Sequence, residues 1–151
     1  MSATMDQHQR VLVIDDDDFV RRMLVAALRQ KPLLVDEATD GREAIGLLSE
    51  NRYAVVLLDL LMPNVDGFGV LDAIGEGADA PIVLVVTGAE RRLLDRLDSK
   101  KIHGIVKKPF DPVEIADVVG ACTEIRARST FETMAFATAF AGAPLIALLK
   151  L

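Results

Sequence analysis

The sequence predicts an α/β fold: a doubly wound, five-stranded parallel sheet with an extra apolar helical segment at its carboxyl-terminal end. Two observations carry this expectation. Short apolar runs of strand length alternate along the chain with stretches whose apolar residues recur at helical spacing. The central run, Ala54 to Leu58, is apolar throughout, which suits a strand covered on both faces rather than wetted on one. Strands alternating with helices imply right-handed crossovers and helices on both sides of one sheet.

In chain order, Val11 to Ile14 read as the first strand, ending in the acids Asp15 to Asp18, of which Asp17 and Asp18 suit a helix cap and first turn. Val20, Met23, Leu24, Ala27 and Leu28 then mark a helix closed before Pro32. Leu33 to Val35 make a short second strand, and Thr39 or Asp40 caps a helix carrying Ala44, Ile45, Leu47 and Leu48. The third strand stops at Asp59. Pro63 and the Asp66-Gly67 pair are turn residues, so the chain leaves the strand sharply before a helix over Gly67 to Ile74. Pro81 to Val86 form the fourth strand, Leu94 and Leu97 lie on the next helix, and Ile102 to Val106 form the fifth strand. After Pro109, the residues Ile115, Val118, Val119, Cys122 and Ile125 mark a last helix with one buried face.

Composition narrows the function classes. A chain of 151 residues, 51% hydrophobic and 26% charged, has room for one domain, expected over residues 10–128 with a flexible stretch at 1–9 and a tail at 129–151. A net charge of -6 argues against a nucleic-acid surface, which needs clustered cations to displace counterions. The single cysteine excludes an internal disulfide and a thiolate metal site, and Cys122 is read as packing. MSATMDQHQR has no apolar core of a signal peptide, so a cytoplasmic location is expected. His8 and His103 do not stand at metal-ligand spacing in the sequence, and both are read as non-functional.

In a parallel sheet the carboxyl ends of the strands share one edge, where open α/β folds place their ligands. That edge would gather Asp15, Asp16, Asp59, Thr87 and Lys108. Crowded carboxylates repel unless a cation lies among them, and hard oxygen ligands favour magnesium. A carboxylate beside that ion could attack a phosphoryl group and hold it as an acyl phosphate, with Lys108 and the Thr87 hydroxyl meeting the phosphoryl oxygens.

Four stretches, VLVIDD, LLDLLMPNVDG, VVTG and KKPF, stand in the order and spacing of a known family. On them the chain resembles a response regulator receiver domain of the CheY-like type, over about Arg10 to Arg126, with the flavodoxin-like topology this implies. The resemblance implies that Asp59 accepts phosphate from a histidine kinase or phosphotransfer protein. It further implies that Asp16, Asp59 and the Leu61 carbonyl ligate magnesium, that Asp15 acts largely through water, and that Thr87 and Lys108 carry the signal to a downstream protein, as yet unidentified. Lys108 rather than Lys107 is chosen because it precedes Pro109 as in the family, where this bond is often cis, and because strand alternation turns Lys107 away. Where the family often has an aromatic residue three positions before the lysine, this chain has Ile105. Gly88 replaces a common alanine. Leu61 and Ala89 stand where polar side chains are frequent, which bears on the lifetime of the phosphorylated state.

Two other functions fit parts of the pattern. Asp15-Asp16-Asp17 satisfies the Asp-x-Asp of a haloacid-dehalogenase-like phosphatase with Asp15 as nucleophile, and an unphosphorylated scaffold could use the fold for binding alone. In the tail, Ser129 and Glu132 form a capping box, and no residue from Thr133 to Leu149 is charged. At about 17 residues and ~1.5 Å each, the uncharged stretch is ~26 Å, the lower limit for crossing a bilayer. A partner-binding or self-associating helix is the preferred reading, ahead of membrane contact.

Overall fold

The computed structural model describes residues 9–128, so His8 and the expectations for the tail lie outside the described residues. Five strands, β1 (Arg10–Ile14), β2 (Leu34–Ala38), β3 (Val55–Leu58), β4 (Ile82–Thr87) and β5 (Gly104–Lys107), form one parallel sheet in the order β2-β1-β3-β4-β5. The helices are α1 (Asp18–Leu28), α2 (Gly41–Glu50), α3 (Gly67–Ala73), α4 (Arg91–Leu94) and α5 (Pro112–Arg128). This is the doubly wound, flavodoxin-like fold expected.

Strand alternation divides the core in two. Val11 and Val13 of β1, Val55 and Leu57 of β3, and Leu84 and Val86 of β4 face α1 and α5, packing on Leu24, Leu28, Ile115, Val119 and Cys122. Leu12, Ile14, Val56, Leu58, Val83 and Val85 point the other way, onto Ala44, Val70, Leu71 and Ile74. Both faces of the three central strands are dry, so Val11 to Ile14, Val55 to Leu58 and Ile82 to Val86 are apolar without a break.

Edges differ from the centre, and there the reading of the sequence slips. β2 runs to Ala38 rather than Val35, because Asp36 and Glu37 are strand residues whose charges are met by Arg10 and Arg21. α4 is a single turn, with Leu97 buried just beyond it rather than on it. β5 starts at Gly104, since its ladder with β4 begins at the Leu84 to Gly104 pair and Ile102 lies ahead of it.

Caps fix where the helices start. Asp17 accepts from the N–H groups of Phe19 and Val20 at 2.9 and 3.1 Å, and Asp40 from that of Glu43 at 2.8 Å. Asp66, read from sequence as a turn residue, is the cap of α3 and accepts from Gly69 at 3.1 Å.

The loop between β3 and α3 is pressed against its surroundings. Asn64 takes the left-handed conformation at φ 64°, which asparagine tolerates better than branched residues. A Cβ on Gly67 would lie 2.5 Å from the Asp59 carbonyl oxygen and 2.6 Å from Leu60 Cα, both backbone atoms that cannot swing aside. Gly67→Ala is therefore expected to cost about 2 kcal/mol, read as a lower urea midpoint at unchanged slope. An unaltered midpoint would show that the loop yields freely.

Candidate phosphoryl-acceptor site

The reversal of strand order falls between β1 and β3, whose carboxyl ends flank a crevice of the kind that binds ligands in open α/β sheets. Ile14 pairs in register with Leu58, and the Asp59 N–H donates to the Ile14 carbonyl at 2.9 Å, so the residues after each strand, Asp15 and Asp59, stand side by side. Asp16 joins them. One carboxylate oxygen from each of Asp15, Asp16 and Asp59 lies within 4.8 Å of the others. Asp15 and Asp59 are buried and Asp16 is exposed, which leaves one open side.

Lys108 reaches this cluster from the end of β5. Its Nζ donates to Asp15 Oδ2 at 2.7 Å and to Asp59 Oδ2 at 3.3 Å. Lys107, the last residue of β5, is exposed, as strand alternation requires. The Lys108-Pro109 peptide bond is cis. Thr87 is fully buried at the end of β4. Its Oγ1 accepts from the Ala89 N–H at 3.2 Å, and its carbonyl accepts from the Lys108 N–H at 3.0 Å. The expected residues thus meet at one edge, with the ends of β4 and β5 joined through backbone.

The charges are unevenly held. Burial pushes the Asp15 carboxyl above the usual carboxylate range. The Lys108 bond and the Asp17 N–H, which donates to Oδ1 at 2.9 Å, oppose this, while the charge of Asp59 adds to it. Burial also works against the Lys108 ammonium, but its bonds and charge contacts with the two carboxylates prevail and its pKa is raised. Asp59 is held more loosely than Asp15. Its Oδ1 accepts from Leu61 N–H at 3.3 Å, so both its contacts are long, whereas those of Asp15 are 2.9 and 2.7 Å.

The surroundings refine the expectations. Leu61 projects its side chain outward at 53% exposure, while Ala89, two residues past the end of β4, is buried in the core on the α2 and α3 face. Ile105 is buried on the α2 and α3 face. His103 is half-buried and its Nδ1 accepts from the Val83 N–H at 3.1 Å, while Cys122 is buried, its thiol pushed up to about 12. One residue next to the site was missed in the sequence: Arg21, buried in α1, whose Nη1 donates to the Asp15 carbonyl at 3.0 Å. Its only signal is an arginine one turn into a helix that follows clustered acids.

Comparison with known proteins agrees with this geometry. The profile of the response regulator receiver domain matches residues 11–120. The transcriptional regulatory protein SrrA of Staphylococcus aureus is 37% identical over 106 residues, which cover 70% of this chain and 44% of that protein. The chain therefore spans less than half the length of that curated relative. Among solved structures, chemotaxis protein CheY4 of Vibrio cholerae superposes with a TM-score of 0.66 at 25% identity, covering 75% of this chain and 97% of its own. A two-component transcriptional regulator, AraC, from Clostridium phytofermentans does so with a TM-score of 0.66 at 26% identity, covering 82% and 98%. With its sheet order, its strand-end acids and this match in hand, the chain belongs to the family of response regulator receiver domains, the phosphoacceptor signalling modules of two-component systems.

Proposed function

We propose that Asp59 is the phosphoacceptor, that Asp15, Asp16, Asp59 and the Leu61 carbonyl surround a magnesium ion, and that Thr87 and Lys108 convert phosphorylation into a change of surface. The observation that carries this reading is the gathering of three carboxylate oxygens within 4.8 Å beside an ammonium. Such a set of hard oxygens with an exposed member suits magnesium retaining part of its water. When bound, the ion supplies charge neutralisation for the incoming phosphoryl oxygens.

An Asp59 oxygen attacks phosphorus, the phosphorus–nitrogen bond of a phosphohistidine breaks, and the imidazole leaves with a proton taken from solvent. The product is an acyl phosphate on Asp59. Lys108 exchanges a carboxylate for a phosphoryl oxygen, and the Thr87 hydroxyl turns toward the same group. Because the Thr87 carbonyl is bonded to the Lys108 N–H, the two strand ends move as a pair, which shifts the loop after β4 and the face built by α4, β5 and α5. Ile105 takes part as packing, without an aromatic swing.

The donor is a histidine kinase or phosphotransfer protein, for which exposed apolar side chains around the site offer a contact. Phe19 at the start of α1, Leu61 after β3 and Val113 at the start of α5 all expose large apolar side chains at the sheet edge that holds the acids. The output is a protein contact. A haloacid-dehalogenase-like reading puts the nucleophile at Asp15, whose two oxygens are the more tightly engaged, so Asp59 is preferred. Mapping the label after reaction with a small phosphodonor tests the choice, Asp15 or no label counting against it.

The metal has its own test. Asp16→Ala is expected to weaken magnesium binding on the order of 10- to 100-fold by calorimetry. The apo fold should stay intact or gain stability, because repulsion among the acids is relieved. Unchanged affinity would place the ion elsewhere.

A further inference from the structure

Among the described residues the buried polar side chains are Asp15, Asp59, Thr87, Thr123 and one cation, Arg21, at 5% exposure. Thr123 is satisfied within α5 by the Gly120 carbonyl. Three of the rest belong to the acceptor site, and Arg21 lies directly behind it. Its guanidinium makes three bonds in three directions: Nε to Glu37 Oε2 of β2 at 3.2 Å, Nη2 to Asp18 Oδ1 of α1, and Nη1 to the Asp15 carbonyl at 3.0 Å.

The ion pairs do not explain why a guanidinium is buried here. The side chains of Asp18 and Glu37 are 69% and 43% exposed, so water screens both pairs, while desolvation of the guanidinium must still be met. The third bond is different in kind. The Asp15 carbonyl belongs to the peptide plane that joins Asp15 to Asp16. Across the residue, the Asp15 N–H donates to the Ala38 carbonyl at 3.2 Å. Both peptide planes flanking Asp15 are therefore anchored, one by β2 and one by Arg21. The carboxylate is anchored in turn by Lys108 and the Asp17 N–H. With its plane fixed, the Asp15–Asp16 peptide sets the direction from which Asp16 projects, although Asp16 itself is exposed.

We propose that Arg21 is a positioning residue for the acid pair: by holding the Asp15 carbonyl it sets the peptide plane from which the Asp15 and Asp16 carboxylates reach a divalent cation. This rests on the function proposed above. A planar, forked guanidinium suits the task because one rigid group spans β2, the loop after β1 and the first turn of α1, which an ammonium at a single point does not. Groups that orient metal-binding residues from behind matter to affinity nearly as the ligands do.

The test is magnesium calorimetry on the full chain, with nitrogen-15 spectra, for wild type, Arg21→Met, Arg21→Lys and Glu37→Gln. Arg21→Met keeps the apolar stem and loses the carbonyl bond. It is expected to bind magnesium about 10-fold more weakly while folded, and to move the Asp16 amide resonance, whose N–H shares the peptide plane with that carbonyl. Arg21→Lys restores the charge without the fork and should recover less than half of the loss on a logarithmic scale. Glu37→Gln leaves the carbonyl bond in place and should bind within about twofold of wild type. The idea is overturned if Arg21→Met binds as wild type does, if Arg21→Lys restores affinity fully, or if Glu37→Gln is as weak as Arg21→Met. Should Arg21→Met not fold, Arg21→Lys decides against wild type: weaker magnesium binding with a moved Asp16 amide resonance supports the idea, and wild-type affinity overturns it. Failure of the functional reading looks different: the wild-type chain itself binds no magnesium, or keeps its affinity in Asp16→Ala.

Discussion

Asp59→Asn, mixed with a small phosphodonor and magnesium, is expected to take up no label where the wild-type chain takes up one phosphoryl group. The reason is chemical rather than structural. An amide oxygen lacks the negative charge that makes a carboxylate a competent nucleophile, and no stable acyl phosphate forms on it. The substitution is nearly isosteric, and the amide can still accept the Leu61 N–H that Asp59 accepts at 3.3 Å. Lys108 keeps its shorter bond to Asp15 at 2.7 Å. Loss of label in a chain with the wild-type melting profile is then a statement about the acceptor. Intact-mass spectrometry with peptide mapping reads it directly. Full labelling of the Asn variant at Asp15 would move the chemistry to the phosphatase reading, and full labelling anywhere else would end the acceptor assignment.

How much of this was legible in the sequence depends on which residues carry it. β1 and β3 are plain because both faces of each are buried, so Val11 to Ile14 and Val55 to Leu58 leave no polar gap. β2 is half hidden because it is an edge strand, and its Asp36 and Glu37 read as loop until Arg10 and Arg21 are seen to meet them. α4 is overdrawn because Leu97 is buried through the turn after it, and a buried leucine three residues from Leu94 mimics helical spacing.

The site was more legible than its support. Asp15, Asp16, Asp59, Thr87 and Lys108 sit at strand ends, and parallel pairing brings all strand ends to one edge without any knowledge of side-chain packing. Arg21 and Asp66 were not visible in that way. An arginine three residues after Asp18 has the spacing of an ordinary surface pair, and only the fold shows that its other nitrogens reach the Asp15 carbonyl and Glu37. Asp66 precedes a glycine and reads as a turn, yet the bond from Gly69 makes it a cap. Local pattern reports position along an element. It does not report which long-range partner a polar group has found.

Removing the Lys108 ammonium should have the largest effect on stability, and the effect should depend on pH and on magnesium. Lys108 holds two nearly buried carboxylates, its own side chain being 23% exposed. Lys108→Met keeps the stem and leaves Asp15 and Asp59 facing each other without a cation, which is expected to cost about 3 kcal/mol near neutral pH. The signs follow from the pKa directions. The pKa of Lys108 is raised in the fold, so its contribution is complete below the unfolded value of 10.5 and is lost as pH rises through the folded one. The carboxyl of Asp15 is also raised, so the folded chain binds more protons than the unfolded one, and stability falls as pH rises from 3.8 through the folded value. The variant lacks the lysine that limits this rise, and its loss is therefore greatest above that window. Acid should shrink the gap between the two chains by protonating Asp15, whose pKa is raised in the fold. Saturating magnesium should shrink it too, because a divalent ion replaces the missing charge, and at about 100 times its dissociation constant it adds ~2.7 kcal/mol to the form that binds it. Freed from competition with the ammonium, the variant should bind magnesium more tightly than wild type. Urea midpoints near pH 4 and pH 7, with and without magnesium, read all of this. A gap that stays the same in all four conditions would mean that Lys108 stabilises the fold through its methylene stem, and that its charge is not what holds the acids together.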